Sequence, residues 1–405
     1  MSASPRVLFV THNFPRTAGD PAGSFILRLA DALGNAGARI DVIAPGAPGL
    51  ASRDVVQGIP VQRVRYARDD RQTLAYEGTM VEAVRAGWSG RFALLGLLWH
   101  TRRAVQQAIT AARREGAPYD AVHAHWWFPA GLCTWAAGLG RPGGPRFIVT
   151  MHGSDVRLAQ GVSAAHPIMR AVLHRAQAVT AVSHWLADTA ASIVPGCDIH
   201  VAPMPVNVHG FTPGPRDRGG VLFVGRLNAQ KGVGQLLAAL ARTASHLTCD
   251  IVGDGPDRAA LHAQANTLGL ASRVRWHGAL PHDALPALYQ RALVTVMPSH
   301  EEGLGLVAVE SALCSTPVIA YRSGGLPDVV VPSHGGTLIE PGDIDALAAA
   351  IDAAARDLNA TRTRGEMARA HALEHFDPAH VAARYLALYA SPERPDEDLA
   401  ASARQ

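Results

Sequence analysis

Pro298-Ser299-His300-Glu301-Glu302-Gly303-Leu304-Gly305-Leu306-Val307-Ala308-Val309-Glu310 is the stretch whose reading decides the fold. It follows the apolar run 293–297, which reads as a buried strand, and its glycines lead the backbone into a helix predicted to start near Gly305. Backbone N–H groups at such a helix start are unpaired and lie at the positive end of the helix dipole, so they suit an anion. Glu302 stands just before that start, and Glu310 returns to the same side about two turns later. Each Glu alone reads more readily as a dipole partner or a solvated helix face. Two carboxylates flanking an anion cradle, however, must bind hydroxyls and not the anion. A nucleotide-sugar meets that demand, with ribose and sugar hydroxyls on the carboxylates and a diphosphate between them.

Working outward, apolar runs followed by glycine-bearing loops and helical patterns recur along the chain. Val7–Val10 ends in a loop holding His12, Asn13, Gly19 and Gly23, then a helix with Ser24 as its expected N-cap, then a strand over Ile40–Ala44. Such alternation predicts parallel sheets with right-handed crossovers, whose ligands sit at the carboxyl ends of the strands. Tyr119–Ala124 leads into His125, and Phe147–Met151 ends in His152-Gly153-Ser154-Asp155, so both stretches put titratable groups at those ends. His123 and His125 share a strand face, but two histidines without a third ligand make a poor metal site, so structural or acceptor-lining roles are expected. The segment from Pro203 to Gly220 is rich in Pro and Gly and is expected to be a linker, after which the alternation restarts at Val221.

After that strand, Gly225-Arg226-Leu227-Asn228-Ala229-Gln230-Lys231-Gly232 opens a helix. Two cations bracketing a helix N-terminus are disfavoured by the dipole unless an anion lies between them. The chain has 37 Lys plus Arg, and Lys231 is its one lysine. Gly253-Asp254-Gly255 has the start of a dinucleotide fingerprint, but Arg258 stands where the third Gly belongs, so a nicotinamide enzyme is disfavoured.

Glu302 and Glu310 around Gly-X-Gly, together with Arg226 and Lys231, resemble the retaining GT-B glycosyltransferases of glycosyltransferase family 4 (glycosyl transferases group 1). The resemblance runs from the His12 loop to a helix near Asp343. It implies an α/β fold of two Rossmann-like domains with parallel sheets facing across a cleft, and a C-terminal helix returning to the first domain. The expected divisions are an acceptor-side domain 1–205, a linker 206–220, a donor domain 221–376, a C-terminal helix 377–390 and a disordered tail 391–405. The resemblance further implies that Glu310 holds the ribose, Arg226 and Lys231 the diphosphate, and Glu302 the sugar hydroxyls. Gly303, Leu304, Gly305 and Leu306 would offer backbone N–H groups, Gly23 would lie near the diphosphate, and His152 would touch the transferred sugar. His12, Asn13, His125 and Asp155 would lie on the acceptor side. Four departures touch pocket shape and not reaction class: Leu304 for an aromatic, Asp328 for Glu, Ser315 for Gly and Asn207 for Gly.

The reaction so implied is metal-independent hexosyl transfer from a UDP- or GDP-linked donor to a glycan, lipid-linked or small-molecule acceptor. No metal site and no cofactor are expected, because cations and a helix dipole stabilise the leaving group and no Asp-X-Asp stands beside the site. A nucleotide-sugar epimerase and a non-catalytic sugar-nucleotide sensor are the alternatives. Composition bounds the rest. With 405 residues, 48% hydrophobic, the chain supports two cores, and a net charge of +3 gives no nucleic-acid footprint. Cys133, Cys197, Cys249 and Cys314 lack pair spacing, which suits a reducing cytosol. No basic-then-apolar leader and no membrane-length apolar run is read, so a cytoplasmic place is expected. Phe92–Trp99 running into Arg102 and Arg103 reads as a core helix with a polar face, the other reading being peripheral docking on the inner membrane face.

Overall fold

A computed structural model describes residues 4–76, 80–85, 87–214 and 219–390. The expected tail 391–405 and residues 215–218 of the expected linker lie outside the described residues. The chain divides into two units. The first comprises residues up to 182, residues 186–204 and Val381 onward, and the second comprises Ser183–Trp185 and Pro205–His380.

The first unit is built on eight strands: β1 (Arg6–Val10), β2 (Arg39–Pro45), β3 (Arg53–Val56), β4 (Ile59–Val64), β5 (Ala121–His125), β6 (Arg146–Met151), β7 (Ala178–Ala181) and β8 (Ile199–Val201). Their order is β3-β4-β2-β1-β5-β6-β7-β8. Every pairing is parallel except β3 with β4, a hairpin closed by Gln57 (φ 50°) and Gly58 (φ 83°). That antiparallel edge departs from the expected all-parallel sheet, because a two-residue turn with positive φ joins only antiparallel neighbours. The chain builds β2 and β4 on one side of β1, then crosses to β5 on the other. The carboxyl ends of β1, β5 and β6 therefore meet near this reversal of strand order, where α/β sheets bind ligands.

The second unit repeats the plan with β9 (Val221–Val224), β10 (Cys249–Val252), β11 (Val274–Gly278), β12 (Val294–Met297), β13 (Val318–Tyr321) and β14 (Thr337–Ile339), in the all-parallel order β11-β10-β9-β12-β13-β14. Its reversal lies between β9 and β12, so the two loops that carry Lys231 and Glu302 leave neighbouring strands. Leu236, Leu237 and Leu240 pack with Phe223, Ile251 and Val296 as its core. Each unit is thus a Rossmann-like parallel-sheet half, the pair of halves that a GT-B chain comprises.

Several local expectations are corrected. Ser24 is not the N-cap of its helix, which spans Ser24–Asn35. Gly23 caps it in the left-handed conformation (φ 68°), where an added Cβ would stand 2.4 Å from the Asn13 carbonyl oxygen. A later helix spans Leu358–Phe376, its start fixed by the Asp357 carboxylate, which accepts from the Ala360 N–H. The expected linker is not a free tether over its described part. Val206, Val208 and Phe211 are buried, and the Phe211 ring lies 5.9 Å from that of Tyr289, so apolar residues among the prolines anchor it to the second unit. The helix Trp88–Arg114 does bury Ala93, Leu97, Ala104 and Val105, but Phe92, Leu95 and Trp99 are exposed, not core. A run apolar at nearly every position must turn some of it outward at 3.6 residues per turn. The last helix, Pro378–Ala390, packs within the first unit, with the Tyr385 hydroxyl donating to the Ala202 carbonyl.

Candidate active site

Glycine spacing assembles the site of the second unit. Gly232 (φ 66°) ends a short turn over Ala229–Lys231 and caps the helix Val233–Arg242, and an added Cβ would meet the Pro298 carbonyl oxygen at 2.1 Å. The β9 loop and the β12 loop therefore touch backbone to backbone. The His300 N–H donates to the Gln230 carbonyl (2.8 Å), and the Gln230 amide donates to the Glu301 carbonyl (3.2 Å). Gly253 (φ 136°) and Gly255 serve the same purpose from below, with Cβ positions 1.9 Å from the Gly225 oxygen and 2.3 Å from the Leu227 oxygen. Close backbone approach, not dinucleotide binding, accounts for that Gly-X-Gly. Gly253→Ala is expected to destabilise the second unit by about 2–3 kcal/mol, since both the φ and the contact are forbidden to alanine. Urea unfolding followed at Trp276, which packs against that unit's core, tests this, and a midpoint equal to wild type would refute it.

The contact so produced is between Lys231 and Glu302. The Lys231 Nζ donates to Glu302 Oε2 at 2.5 Å, and the two side chains are 20% and 17% exposed. The anion that Lys231 meets in this structure is thus a carboxylate of its own chain. Arg226 is exposed and forms no ion pair with a described residue, so of the two expected diphosphate cations it alone is uncommitted. The helix Leu306–Leu313 begins beside them, capped by Gly305 (φ 90°) with no side-chain cap and no acidic residue in its first turn. Leu304 is buried, so what the Gly303–Leu306 segment turns toward a ligand is backbone. The Gly324-Gly325 turn holds it in place, the Gly325 N–H donating to the Glu302 carbonyl at 2.7 Å.

Glu310 is 5% exposed, which rules out a solvated helix face. His282 Nε2 stands 2.9 Å from one carboxylate oxygen, and the Tyr289 hydroxyl donates to the other at 3.1 Å. Burial and the Glu310 charge hold the Tyr289 hydroxyl well above its ordinary pKa, so it remains a donor. A carboxylate has about four lone-pair sites, and two are left for hydroxyls. Neither His282 nor Tyr289 was found by reading the sequence. They lie 28 and 21 residues before Glu310, and no local period links them to it.

In the first unit, His12, His125 and His152 lie at or just beyond the ends of β1, β5 and β6. His125 Nδ1 is 3.1 Å from His152 Nε2, and the His12 ring packs edge-on against Trp126 at 4.2 Å. His123 is fully buried beneath, 2.9 Å from the Tyr389 hydroxyl and 2.6 Å from the Thr150 hydroxyl. Burial lowers all four imidazoles: His12 to about 4, His123 to about 3, and His125 and His152 well below the ordinary value. All four are neutral at pH 7. His152, His12 and Asn13 are each only partly buried.

Two residues expected on the acceptor side are corrected. His125 has no exposed surface and supports His152 from behind. Asp155 is 2% exposed, and its carboxylate accepts from the backbone N–H groups of Trp127, His152 and Gly153, which ties the ends of β5 and β6 together. Desolvation pushes its pKa up to about 6 despite those bonds. Gly23, expected at the diphosphate, is the helix cap that admits the Asn13 carbonyl in this structure. Among the described residues no group of three or more His, Cys, Asp or Glu has the arrangement to hold a metal ion.

Comparison with known proteins places this geometry. Residues 22–209 match the family described as Glycosyltransferase Family 4, and residues 212–371 match Glycosyl transferases group 1. The chain is 31% identical over 364 residues to a 2-deoxystreptamine N-acetyl-D-glucosaminyltransferase of Streptomyces fradiae, covering 82% of each. It is 30% identical over 398 residues to a 2-deoxystreptamine glucosyltransferase of Streptomyces kanamyceticus, covering 90% of this chain and 97% of that one. Among solved structures, a sucrose-phosphate synthase from Thermosynechococcus elongatus has the same fold (TM-score 0.76, 24% identity, 98% of this chain and 100% of that one). So has Anabaena HepE in complex with UDP-glucose (TM-score 0.66, 20% identity, 94% and 99%).

Proposed function

The chain belongs to the group 1, family 4 glycosyltransferases and takes a nucleotide-sugar as donor, and from that premise we propose a retaining, metal-independent hexosyltransferase of the cytoplasm. The observation that carries the proposal is the meeting of Lys231 and Glu302 at the strand-order reversal of the second sheet, beside a helix start that has no side-chain cap. The exposed Arg226 guanidinium, Lys231 and the N–H groups of Gly303–Leu306 receive the diphosphate, whose charge rises as the sugar departs. Stabilisation of developing charge by fixed donors is a large contribution to such reactions, and these groups supply it without a divalent ion. Glu302 then exchanges its contact with Lys231 for the hexose hydroxyls, and Glu310 holds the ribose. Cys133, Cys197, Cys249 and Cys314 are buried thiols, which supports a reducing compartment. HepE was solved with UDP-glucose, which supports a UDP-hexose ahead of a GDP-hexose; the acceptor class is a glycan, a lipid-linked sugar or a small molecule.

Incubation with labelled UDP- and GDP-hexoses and candidate acceptors tests this, with the anomeric configuration of the product read by NMR. Transfer with retained configuration is expected. An isomerised donor would mark an epimerase, and binding without turnover a sensor. Glu310→Ala is expected to weaken binding of the nucleoside diphosphate by about 10–100-fold, the value of hydrogen bonds to a charged group, while Glu302→Ala lowers turnover. Calorimetric titration of UDP and GDP into wild type and both variants decides it. Unchanged affinity in Glu310→Ala would remove the ribose assignment.

A further inference from the structure

The helix Trp88–Arg114 leaves one stripe bare. Trp88, Phe92, Leu95 and Trp99 are 72%, 66%, 62% and 57% exposed. Their spacing of four, three and four residues repeats along one face. At about 100° per residue they fall within about 60° of arc, opposite buried Leu97, and span about 16 Å of the helix axis. Of the large apolar side chains exposed among the described residues, every aromatic one belongs to this stripe, and the others are scattered singly. Arginines flank it on both sides, Arg91 and Arg102 on one and Arg103 on the other. The Arg91 guanidinium lies 5.0 Å from the Trp88 ring and that of Arg102 5.6 Å from the Trp99 ring. The whole helix carries five arginines and no Asp or Glu.

We propose that this stripe docks on the face of an anionic lipid bilayer, with the helix lying in the headgroup plane. An aromatic and aliphatic ridge enters the acyl boundary while arginines on its two flanks meet lipid phosphates, a division of labour that suits a lipid surface. A nucleic acid offers the arginines partners but leaves four apolar side chains against phosphate. A protein partner of ordinary composition would place carboxylates on the arginines yet gives no reason for the helix itself to lack them. No described helix is long and apolar enough to cross a membrane, in keeping with surface attachment. The inference stands apart from the transfer reaction, since none of these residues belongs to the site described above.

Co-sedimentation of the full chain with vesicles tests it, using phosphatidylcholine alone and phosphatidylcholine mixed with phosphatidylglycerol, each at low and high salt. Wild type is expected to bind the mixed vesicles in a salt-sensitive manner. Trp88→Ser combined with Trp99→Ser should weaken that binding about tenfold or more, through lost apolar burial. Arg91→Gln combined with Arg103→Gln should weaken it about fivefold or more and abolish its preference for phosphatidylglycerol. Bromine-labelled acyl chains should quench wild-type tryptophan fluorescence and quench the Trp88/Trp99 variant less. All four positions are exposed, and circular dichroism with melting curves establishes that the variants fold. Wild type left in the supernatant, or variants that bind as wild type does, would overturn the proposal. So would sedimentation equilibrium showing a dimer that the Trp88/Trp99 variant dissociates, because a second copy would then cover the stripe.

Discussion

Lys231→Ala is expected to lower kcat/KM for release of nucleoside diphosphate from the donor by about a hundredfold, equivalent to about 2–3 kcal/mol of charge-assisted contact. The lysine is the compact cation of the site. Its three donors converge on a point, where the guanidinium of arginine is a broad planar fork. The chain places arginine at every other basic position, and here the cation must fit between a helix start and the Glu302 carboxylate 2.5 Å away. Lys231→Arg keeps the charge and is still expected to lose much of the rate. Because Lys231 also holds Glu302, the loss has two possible sources, and a double-mutant cycle separates them. If Lys231 acts on the diphosphate, Lys231→Ala in a Glu302→Gln background costs a further large factor. A double variant no worse than Glu302→Gln alone would reduce Lys231 to a support for Glu302. Wild-type kinetics in Lys231→Arg would show that charge alone matters.

Stability of the first unit is expected to fall steeply below pH 6, by up to about 4 kcal/mol per pH unit. His12, His123, His125 and His152 all have folded pKa values depressed by burial, near 4 and 3 for the first two. An unfolded chain protonates histidine near pH 6.5, so between about pH 6 and 4 it binds four protons that the folded unit refuses. Asp155 works the other way. Its folded pKa is raised to about 6, so the folded unit keeps one proton that the unfolded chain has released, and the net difference is three protons at about 1.4 kcal/mol per pH unit each. The Asp155 contribution is lost as pH rises through 6, the histidine contribution as pH falls, and the net stability climbs with pH and levels off above about pH 7. Urea unfolding at stepped pH measures this through Trp126 and Trp127, which lie in the same unit. His123→Asn should reduce the slope by about 1.4 kcal/mol per pH unit. Equal stability at pH 7 and pH 5 would sink the account.

Much of the architecture was legible in the order of apolar runs and glycine loops. Val7–Val10 and Val221–Val224 are continuously apolar and Phe147–Met151 is apolar but for Thr150; all are short and bounded by turn residues, which is what a buried parallel strand requires. The glycines at 232 and 305 were legible for the same reason, since each precedes a helix. What could not be read was long-range. Tyr289 and His282 reach Glu310 only because β12 and its preceding helix fold back, and nothing in their own neighbourhood signals it. The inward turn of Asp155 depends on the Trp127 N–H from a different strand end. The Phe92–Trp99 run misled because hydropathy alone does not say which side of a helix finds a partner. Val206, Val208 and Phe211 were obscured by the prolines around them.

The strand order also bears on what happens when copies of this protein are crowded together. Each sheet exposes two edges, formed by β3 and β8 in one and by β11 and β14 in the other. β3 has four residues, β8 and β14 three each, and β11 carries Arg275 paired with Asp250 and ends at Gly278 in the left-handed conformation. An edge of three or four residues presents too few free N–H and C=O groups to template another strand, and a charged or sharply turned one repels it. The long apolar strands, which would form cross-β stacks if bared, are all interior. Among the described residues no native edge is suited to seed a fibril, so fibrillation from these sheets must wait on unfolding.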